Sequence, residues 1–255
     1  MTIELTAVAG IPEVKAGDDL AAVIGDAIAS GTADNEPPRD GDIIAVAQKI
    51  VSKAEGRTTS LSAIVPGAEA AELARRTGKD PRLIEAILGE SAKVLRASHG
   101  VLIVETNHGF VCANAGIDRS NVPGDDALLL LPSDPDASAR KLRRALHERW
   151  AAEIGVIVTD SFGRAWRVGQ QDVTIGCAGV RPLVDLRGGG DRNGRELTAS
   201  IDAVADELAA AANLARAKCS GEPVVLIRGR AELVTPEDGP GAVPLLRERT
   251  LDLFR

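Results

Sequence analysis

The sequence predicts a fold that combines α-helices and β-strands, α/β or α+β, around a sheet that is mixed rather than fully parallel. Two observations predict this class. Short apolar runs rich in β-branched residues alternate with segments of helical periodicity, but without a regular βα repeat. A glycine-rich polar stretch, GGGDRNG at residues 188–194, interrupts the third quarter of the chain and is typical of a hairpin tip or a mobile loop.

Four apolar runs rich in β-branched residues predict buried strands. They are DIIAVAQKI (42–50), VLIVE (101–105), IGVIVT (154–159) and PVVLI (223–227). Such short and almost uniformly apolar runs are typical of strands in the interior of a sheet.

Three segments predict α-helices. The first follows Asp80 and Pro81, which supply an N-cap and a first-turn proline. The second is predicted to begin at a cap on Ser138, because apolar side chains then recur every fourth residue up to Trp150. The third is the alanine-rich segment 203–215, whose residues favour the helix intrinsically.

Length and composition restrict the class of protein. The 255 residues suit one large domain or two closely joined lobes, and 44% hydrophobic with 26% charged residues is typical of a globular protein. The chain has no Tyr, three Phe and two Trp, so single-stranded nucleic acid would find almost no aromatic side chains for stacking. The net charge of −7 also argues against a protein that binds phosphate backbones.

The cysteines and the N-terminal sequence favour a cytoplasmic protein. Cys112, Cys177 and Cys219 are odd in number and widely spaced, which fits reduced thiols better than a disulfide framework. The first residues lack the pattern of a signal peptide, and no apolar run approaches the ~20 residues of a membrane helix. We therefore expect a cytoplasmic protein without membrane or nucleic-acid partners.

The stretch VIVTDSFGRAWRVGQ (156–170) places Asp160 and Ser161 at the predicted end of a buried strand. Ligands bind in the crevice at such strand ends in α/β proteins, and oxygen ligands suit Mg²⁺ or Mn²⁺. Arg164 and Arg167 add guanidinium groups suited to phosphate or carboxylate. The alternative is an aspartate that caps a helix, with arginines on the surface, and the pattern alone leaves both interpretations open.

The stretch HGFVCANAGIDRSN (108–121) contains two candidate sites. His108 and Cys112 have no second ligand pair at zinc-binding spacing, so we interpret them as packing groups. Gly116 allows a tight turn, after which Asp118 offers a carboxylate to a metal ion and Asn121 a hydrogen bond to a nucleotide or sugar. An Asx-turn is the competing interpretation.

The stretch QKIVSKAEGR (48–57) places Lys53 after a predicted strand, where its ammonium group can reach a phosphate. A solvated lysine is the alternative. Near the N-terminus, GIPEVKAGDDL (10–20) predicts a turn before a capped helix. The sequence contains neither a P-loop nor the strand-linked G-x-G-x-x-G fingerprint nor a G-x-S-x-G elbow, so a nucleotide would need another kind of binding site.

Taken together and in order, these stretches resemble the coenzyme F420-0:L-glutamate ligases, the gamma-glutamyl ligases of deazaflavin coenzyme synthesis. The similar segments are GIPEV, GDIIAVAQKIVSKAEGR, HGFVCANAGIDRSNVPGDDALLLLPSDPDAS, VIVTDSFGRAWRVGQ, GRELTASIDAVADELAAAANL and VVLIRG. The resemblance includes the N-terminal ligase domain of the bifunctional actinobacterial enzyme. It implies a single ligase domain over residues 1–255, with two lobes as a variant, and an α+β fold that forms an intertwined homodimer. The sequence fits either a stand-alone ligase or one domain of a longer protein that also carries a flavin-binding reductase domain.

The resemblance also implies an activity. Such enzymes use GTP to join L-glutamate to the lactyl-phosphate carboxylate of F420-0, and then to the growing γ-linked tail. The expected intermediate is an acyl phosphate, and GDP and phosphate are released. Mg²⁺ or Mn²⁺ is the implied cofactor, with K⁺ as an additional ion.

Residue roles carry over by position in the motifs. The resemblance implies that the metal ligands are Asp118, Asp160 and Ser161, and that the catalytic residues are Asp160, Lys53 and Arg164. It implies GTP contacts at Ile11, Pro12, Glu13, Val14, Gln48, Lys53, Asn121, Arg228 and Gly229. Gln48 stands where the family has a small hydroxyl residue, and Ser161 where it has Thr or an acidic residue. These departures keep two alternatives open: a related ligase for another acceptor or amino acid, and a non-catalytic nucleotide-binding protein.

Overall fold

The computed structural model describes residues 2–31, 36–119, 124, 126–216 and 221–254. Within these ranges the chain forms twelve strands and six α-helices. In chain order they are β1 (Glu4–Ala7), α1 (Leu20–Gly31), β2 (Ile43–Ala47), α2 (Gln48–Ala54), β3 (Thr58–Ser60), α3 (Ala68–Thr77), α4 (Pro81–Gly89), β4 (Ser91–Ser98), β5 (Val101–Thr106), β6 (Val111–Ala113), β7 (Ala127–Leu129), α5 (Pro135–Trp150), β8 (Gly155–Arg164), β9 (Arg167–Ala178), β10 (Val184–Asp185), β11 (Ile201–Asp202), α6 (Val204–Ala215) and β12 (Val224–Arg228). None of the helices in the described part of the chain has the length and apolar character needed to cross a bilayer.

The central element is a five-stranded sheet with the strand order β1-β12-β2-β8-β9. Only β2 and β8 pair in parallel, and the other three pairings are antiparallel. The predicted mixed sheet is therefore confirmed, and so is a fold that combines α and β elements. The three interior strands of the sheet are β12, β2 and β8. They have long buried runs, as their apolar sequences predict.

Helices cover both faces of this sheet. On one face α1 and α5 pack against Ile44, Val46, Val156 and Val158. On the other face α6 packs against the side chains that alternate with these, among them Ile157. Because successive side chains of a strand point to opposite faces, each apolar run contributes to two cores at once.

A second, smaller group of elements has a hydrophobic core of its own. Helices α3 and α4 pack on the three-stranded sheet β4-β5-β6 through Leu73, Ile84, Ile87 and Leu102. Ala115, in the segment that follows β6, belongs to this core as well. The two-stranded sheet pairs β3, which precedes this group in the chain, with β7, which follows it.

The helix predictions are confirmed for two segments and corrected for one. Helix α4 begins as predicted, with the Asp80 side chain accepting a hydrogen bond from the Arg82 amide, and α6 matches the alanine-rich segment. Helix α5 begins earlier than predicted, because Asp134 caps it by accepting from the Ala137 amide. Ser138 lies inside its first turn and donates to the Asp134 carbonyl instead.

Two strand predictions have different limits in the structure. The run 42–50 does not stay extended to its end, since β2 stops at Ala47 and α2 begins at Gln48. Conversely, the run 154–159 continues as β8 to Arg164 and turns back into β9. The stretch 188–194 forms a hairpin tip as predicted, in which the Asp191 carboxylate accepts from the amides of Asn193 and Arg195.

Candidate active site

The candidate site lies where the two parallel strands of the sheet reach the same edge. Ala47 at the end of β2 pairs with Thr159 of β8. Gln48, which opens α2, and Asp160, which follows Thr159, are therefore neighbours at the point where the parallel pairing of β2 and β8 ends. This edge is the usual place for ligands in sheets with parallel strands.

Asp160 occupies a different local structure from the one predicted. It lies within β8, opposite Val173 of β9, rather than at a strand end before a helix. The predicted strand end at Asp160 and the alternative helix cap are both wrong, because β8 continues past this residue to Arg164. Hydrogen bonding along the hairpin fixes the backbone on both sides of Asp160.

The carboxyl group of Asp160 has an unusual charge environment. Its pKa is raised from 3.8 to about 6, mainly by burial and in addition by the negative charges of Asp172 and Asp118. A hydrogen bond from the Ser161 amide and the charge of Lys49 act in the opposite direction. Asp118 and Asp160 are thus close enough to interact electrostatically, as expected for two ligands of one cation.

Asp118 is held by an ion pair and by its own backbone. The Lys49 ammonium group of α2 contacts the Asp118 carboxylate, and both side chains are partly exposed. The Asp118 amide and carbonyl each hydrogen-bond Leu129, at 2.9 Å. The competing Asx-turn interpretation depends on the amide of residue 120, which lies outside the described residues.

A left-handed turn presents Asp118 to the site. Asn114, Ala115 and Gly116 have φ values of 54°, 55° and 68° in succession. Backbone of this hand is costly for residues other than glycine. A Cβ atom on Gly116 would lie 2.9 Å from side-chain atoms of Leu131, which is buried.

Gly116→Ala is expected to destabilise the protein by about 2–4 kcal/mol, because left-handed strain and overpacking add. Gly78→Ala is the matched control, since Gly78 has a φ of 71° but open space around its Cβ position. The control should lose only about 1 kcal/mol. Urea unfolding of both variants measures the difference, and equal losses would show that contact with Leu131 is unimportant.

Ser161 points away from Asp118 and Asp160. Its hydroxyl donates to the Asp172 carboxylate at 2.5 Å, and Thr159 contacts the same carboxylate at 3.3 Å. Arg216 at the end of α6 forms an ion pair with Asp172, and both side chains are buried. Since alternate residues of a strand share a face, Ser161 lies on the α6 side of β8, opposite to Asp160. In the structure the Ser161 hydroxyl is thus engaged by Asp172, whereas Asp118 and Asp160 interact with each other.

The two carboxylates that do come together fit a hard divalent cation. No group of three or more His, Cys, Asp or Glu side chains suited to a metal ion occurs among the described residues. Mg²⁺ is commonly held by one or two carboxylates, with water and substrate phosphates completing its coordination. The raised pKa of Asp160 fits the same conclusion, because a cation between Asp118 and Asp160 would relieve their repulsion.

The residues predicted to contact GTP near the N-terminus are brought together with Lys53. The Lys53 ammonium donates to the Glu13 carboxylate at 2.6 Å, and only 11% of the lysine side chain is exposed. Val14 is buried in the main core and Ile11 packs against that core, while Pro12 is exposed. The backbone of 11–14 is thereby fixed beside α2.

Gln48 is almost fully buried at the start of α2. Its Oε1 accepts from the Ser52 hydroxyl at 2.8 Å, while its Nε2 has no hydrogen-bond partner in the described part of the chain. Buried amide groups are normally satisfied. Gln48 therefore keeps an available polar group at this edge of the sheet.

The remaining predicted residues lie elsewhere. Arg164 is at the hairpin tip, about 13 Å along β8 from Asp160, and donates to Gln171 and Val168. Arg228 ends β12 and donates to Asp42, at the opposite end of β2 from Gln48. Asn121 lies outside the described residues.

Gly229 has a structural explanation of its own. Its φ is 91°, and a Cβ atom there would lie 2.0 Å from the Thr2 carbonyl oxygen. Only glycine allows the chain to pass so close to the N-terminal segment. The structure thus does not bring Arg228 and Gly229 to the site of Asp160 and Lys53.

His108 and Cys112 have separate packing environments. His108 stacks on Phe110, with ring centroids 5.6 Å apart, and its Nε2 is 2.9 Å from the Pro132 carbonyl oxygen. Cys112 is buried, and burial raises the pKa of its thiol to about 12. Both residues occupy the packing roles that their spacing predicts.

Three residues at or near the site were not among the sequence predictions: Lys49 and the pair of Asp172 and Arg216. Lys49 and Lys53 are four residues apart and share one face of α2. This spacing was visible in QKIVSK, but the segment was interpreted as a strand up to Ile50. The burial of Asp172 and Arg216 has no comparable signal, because each comes from a different part of the chain.

A family model matches most of the chain. Residues 10–229 match the family model described as F420-0:Gamma-glutamyl ligase. The chain belongs to this family. The resemblance noted in the sequence is thereby confirmed, and this member of the F420-0:gamma-glutamyl ligase family is an enzyme of the ligase class. The matched range includes Glu13, Lys53, Asp118 and Asp160.

Relatives within the family are similar over nearly their whole length. A coenzyme F420:L-glutamate ligase from Methanothermobacter thermautotrophicus is 51% identical over 257 residues, covering 100% of both chains. That of Haloarcula marismortui is 45% identical, covering 99% of this chain and 96% of the relative. That of Methanopyrus kandleri is 43% identical, covering 95% and 94%.

Proposed function

We propose that this protein is a cytoplasmic, GTP-dependent ligase that joins L-glutamate to coenzyme F420-0 and then adds γ-linked glutamates to the tail. The observation that carries the proposal is the 51% identity over the full chain to a relative named coenzyme F420:L-glutamate ligase. The clustering of Asp118, Asp160, Lys49 and Lys53 at one sheet edge supports it, because phosphoryl transfer needs charged groups that hold cations and phosphates.

The proposed reaction has two steps. An oxygen of the acceptor carboxylate attacks the γ-phosphorus of GTP, the bond to the bridging oxygen breaks, and GDP leaves. The amine nitrogen of glutamate, after losing a proton, then attacks the acyl carbon of the acyl phosphate. An amide bond forms and phosphate departs.

The protein's contribution to these steps is to position groups and to neutralise charge. Asp118 and Asp160 would hold Mg²⁺ or Mn²⁺, which would stabilise the negative charge of the transferred phosphoryl group. Lys53 supplies a positive charge beside the 11–14 segment, where the nucleotide is proposed to bind. Ser161 stays with Asp172, on the other side of β8.

The direct test is a reaction with F420-0, L-glutamate and GTP in the presence of Mn²⁺ or Mg²⁺ and K⁺, followed by mass spectrometry. Products heavier by one or more glutamyl units are expected, with GDP released in step. GDP release that depends on metal and glutamate but yields no glutamylated product would contradict the proposal. The same spectra give the number of glutamates added.

A related ligase for another acceptor or amino acid is the second candidate. The feature that favours it is the buried Nε2 of Gln48, which has no hydrogen-bond partner among the described residues and stands where the resemblance leads us to expect a small hydroxyl residue. A panel of acceptors and amino acids distinguishes the two, and preference for an acceptor other than F420-0 would support the second. Nucleotide binding without turnover on any acceptor would indicate a non-catalytic protein.

The intertwined homodimer implied by the resemblance is also part of the proposal. Large apolar side chains are exposed at the hairpin tip and the C-terminal segment, among them Trp166 (81%), Val168 (99%) and Phe254 (71%). Exposed apolar groups of this size commonly mark protein interfaces. Light scattering coupled to size-exclusion chromatography should give twice the chain mass of 26.5 kDa.

Lys53→Met is expected to raise the KM for GTP at least about tenfold, because a phosphate contact worth about 1.4 kcal/mol or more is lost. Methionine preserves the length and helix preference of the side chain. Initial rates at varied GTP concentration measure the effect. Lys141→Met, on the exposed face of α5, is the control, and an equal change in both variants would contradict the assignment.

A further inference from the structure

Lys49 lies at the candidate metal site, but no specific role in either proposed step has been assigned to it. Its ammonium group contacts the Asp118 carboxylate, and its charge also acts on Asp160. The side chains of Lys49 and Asp118 are 24% and 29% exposed, so the pair is partly shielded from water. The backbone of α2 that carries Lys49 is held in place, because Ile50 and Val51 are buried in the main core.

The oxygens that contact Lys49 are those that a divalent cation would need. Asp118 and Asp160 repel one another, and Lys49 is the positive charge that opposes this repulsion. A divalent cation at the same two carboxylates would lie close to the ammonium group that contacts Asp118, and like charges repel strongly in a partly buried site. The ammonium group and the cation therefore compete for Asp118.

We propose that Lys49 is a tethered counter-ion of the metal site, which neutralises Asp118 and Asp160 in the metal-free protein and leaves Asp118 when a divalent cation binds. This inference rests on the proposed function for the existence of the cation. Its consequence is that Lys49 weakens metal binding to the free protein while stabilising the empty site. A positioning role would have the opposite effect, since removal of a residue that aligns a ligand weakens metal binding.

Titration of the whole protein with Mn²⁺ without nucleotide, followed by the electron paramagnetic resonance signal of free Mn²⁺, separates these roles. Lys49→Met should bind Mn²⁺ about tenfold more tightly than the wild type, because one positive charge beside the ion is gone. Lys49→Gln should behave similarly, and Lys49→Arg should stay near the wild type. Lys53→Met, which removes the same charge one turn further along α2, should change the affinity little because Lys53 pairs with Glu13 instead.

Thermal unfolding with EDTA provides the second readout. Lys49→Met should melt at a lower temperature than the wild type without metal, and the gap should close when Mn²⁺ is saturating. Unchanged or weaker Mn²⁺ binding by the folded Lys49→Met and Lys49→Gln variants would overturn the inference alone. Absence of Mn²⁺ binding to the wild type and to both variants would overturn the metal assignment together with it.

Discussion

Asp160→Asn is expected to lower turnover about 10²-fold or more while making the metal-free protein more stable at pH 8. Turnover falls because the neutral amide is a poor ligand for a hard cation and several kcal/mol of charge stabilisation depend on that ion. The shape of the side chain is preserved, so the fold is expected to stay intact. Steady-state rates at saturating Mn²⁺ measure the first effect.

The gain in stability follows from the direction of the pKa shift. The pKa of Asp160 is about 6 in the folded protein and 3.8 without the effects of the fold. Ionised Asp160 therefore costs folding free energy, and this cost develops between pH 4 and 6 and is complete above that range. Asn cannot ionise, so the variant should gain about 1–3 kcal/mol at pH 8 and little at pH 4.

Urea unfolding in EDTA at both pH values measures the second effect. Asp80→Asn is the control with the opposite shift, because the hydrogen bonds of Arg82 lower the pKa of Asp80 to about 2. That variant should lose some stability at pH 8 rather than gain it. Wild-type turnover of Asp160→Asn would remove Asp160 from the site. The same stability difference from the wild type at both pH values would contradict the raised pKa.

Asp172→Ala is expected to destabilise the protein by about 3–5 kcal/mol, because it leaves the Arg216 guanidinium group buried without its counter-ion. Asp172 is 2% exposed and Arg216 is 7% exposed. The hydroxyl groups of Thr159 and Ser161 lose their shared acceptor at the same time. The free energy of unfolding in urea is the measurement.

Two control variants test whether the unpaired buried charge causes this loss of stability. Asp185→Ala removes a carboxylate from an exposed pair with Arg187, and its effect should be within the error of the measurement. The double variant Asp172→Leu with Arg216→Met should recover most of the stability, since apolar side chains can replace a buried ion pair. A single variant as stable as the wild type would show that Arg216 finds another partner.

The fold elements were predicted correctly where the local sequence signals are strong. The capping side chain of Asp80 predicted the start of α4, and the uniformly apolar runs predicted the central strands. The start of α2 was missed because Ala47 stands at its N-cap and provides no capping side chain. The extension of β8 was missed because its last residues are polar and are held by cross-strand hydrogen bonds to β9, which local periodicity does not reveal.

The site was predicted in part for similar reasons. The motif resemblance identified Asp118, Asp160, Lys53 and Glu13, which the structure brings to one region. No spacing rule indicated that Ser161 would turn to Asp172, because the register of β8 and β9 decides which face it occupies. Lys49 was missed as a result of the error at the start of α2.

The origin of the two carboxylates has a consequence for how the site is built. Asp160 belongs to the central sheet, whereas Asp118 follows directly on a turn whose Ala115 packs in the smaller core of α3 and α4. Each carboxylate is thus positioned by elements of a different hydrophobic core, and α2 contacts Asp118 through Lys49. A cation bound there would connect the two parts of the chain. It could bind only once both parts have docked, and its binding would report on their alignment.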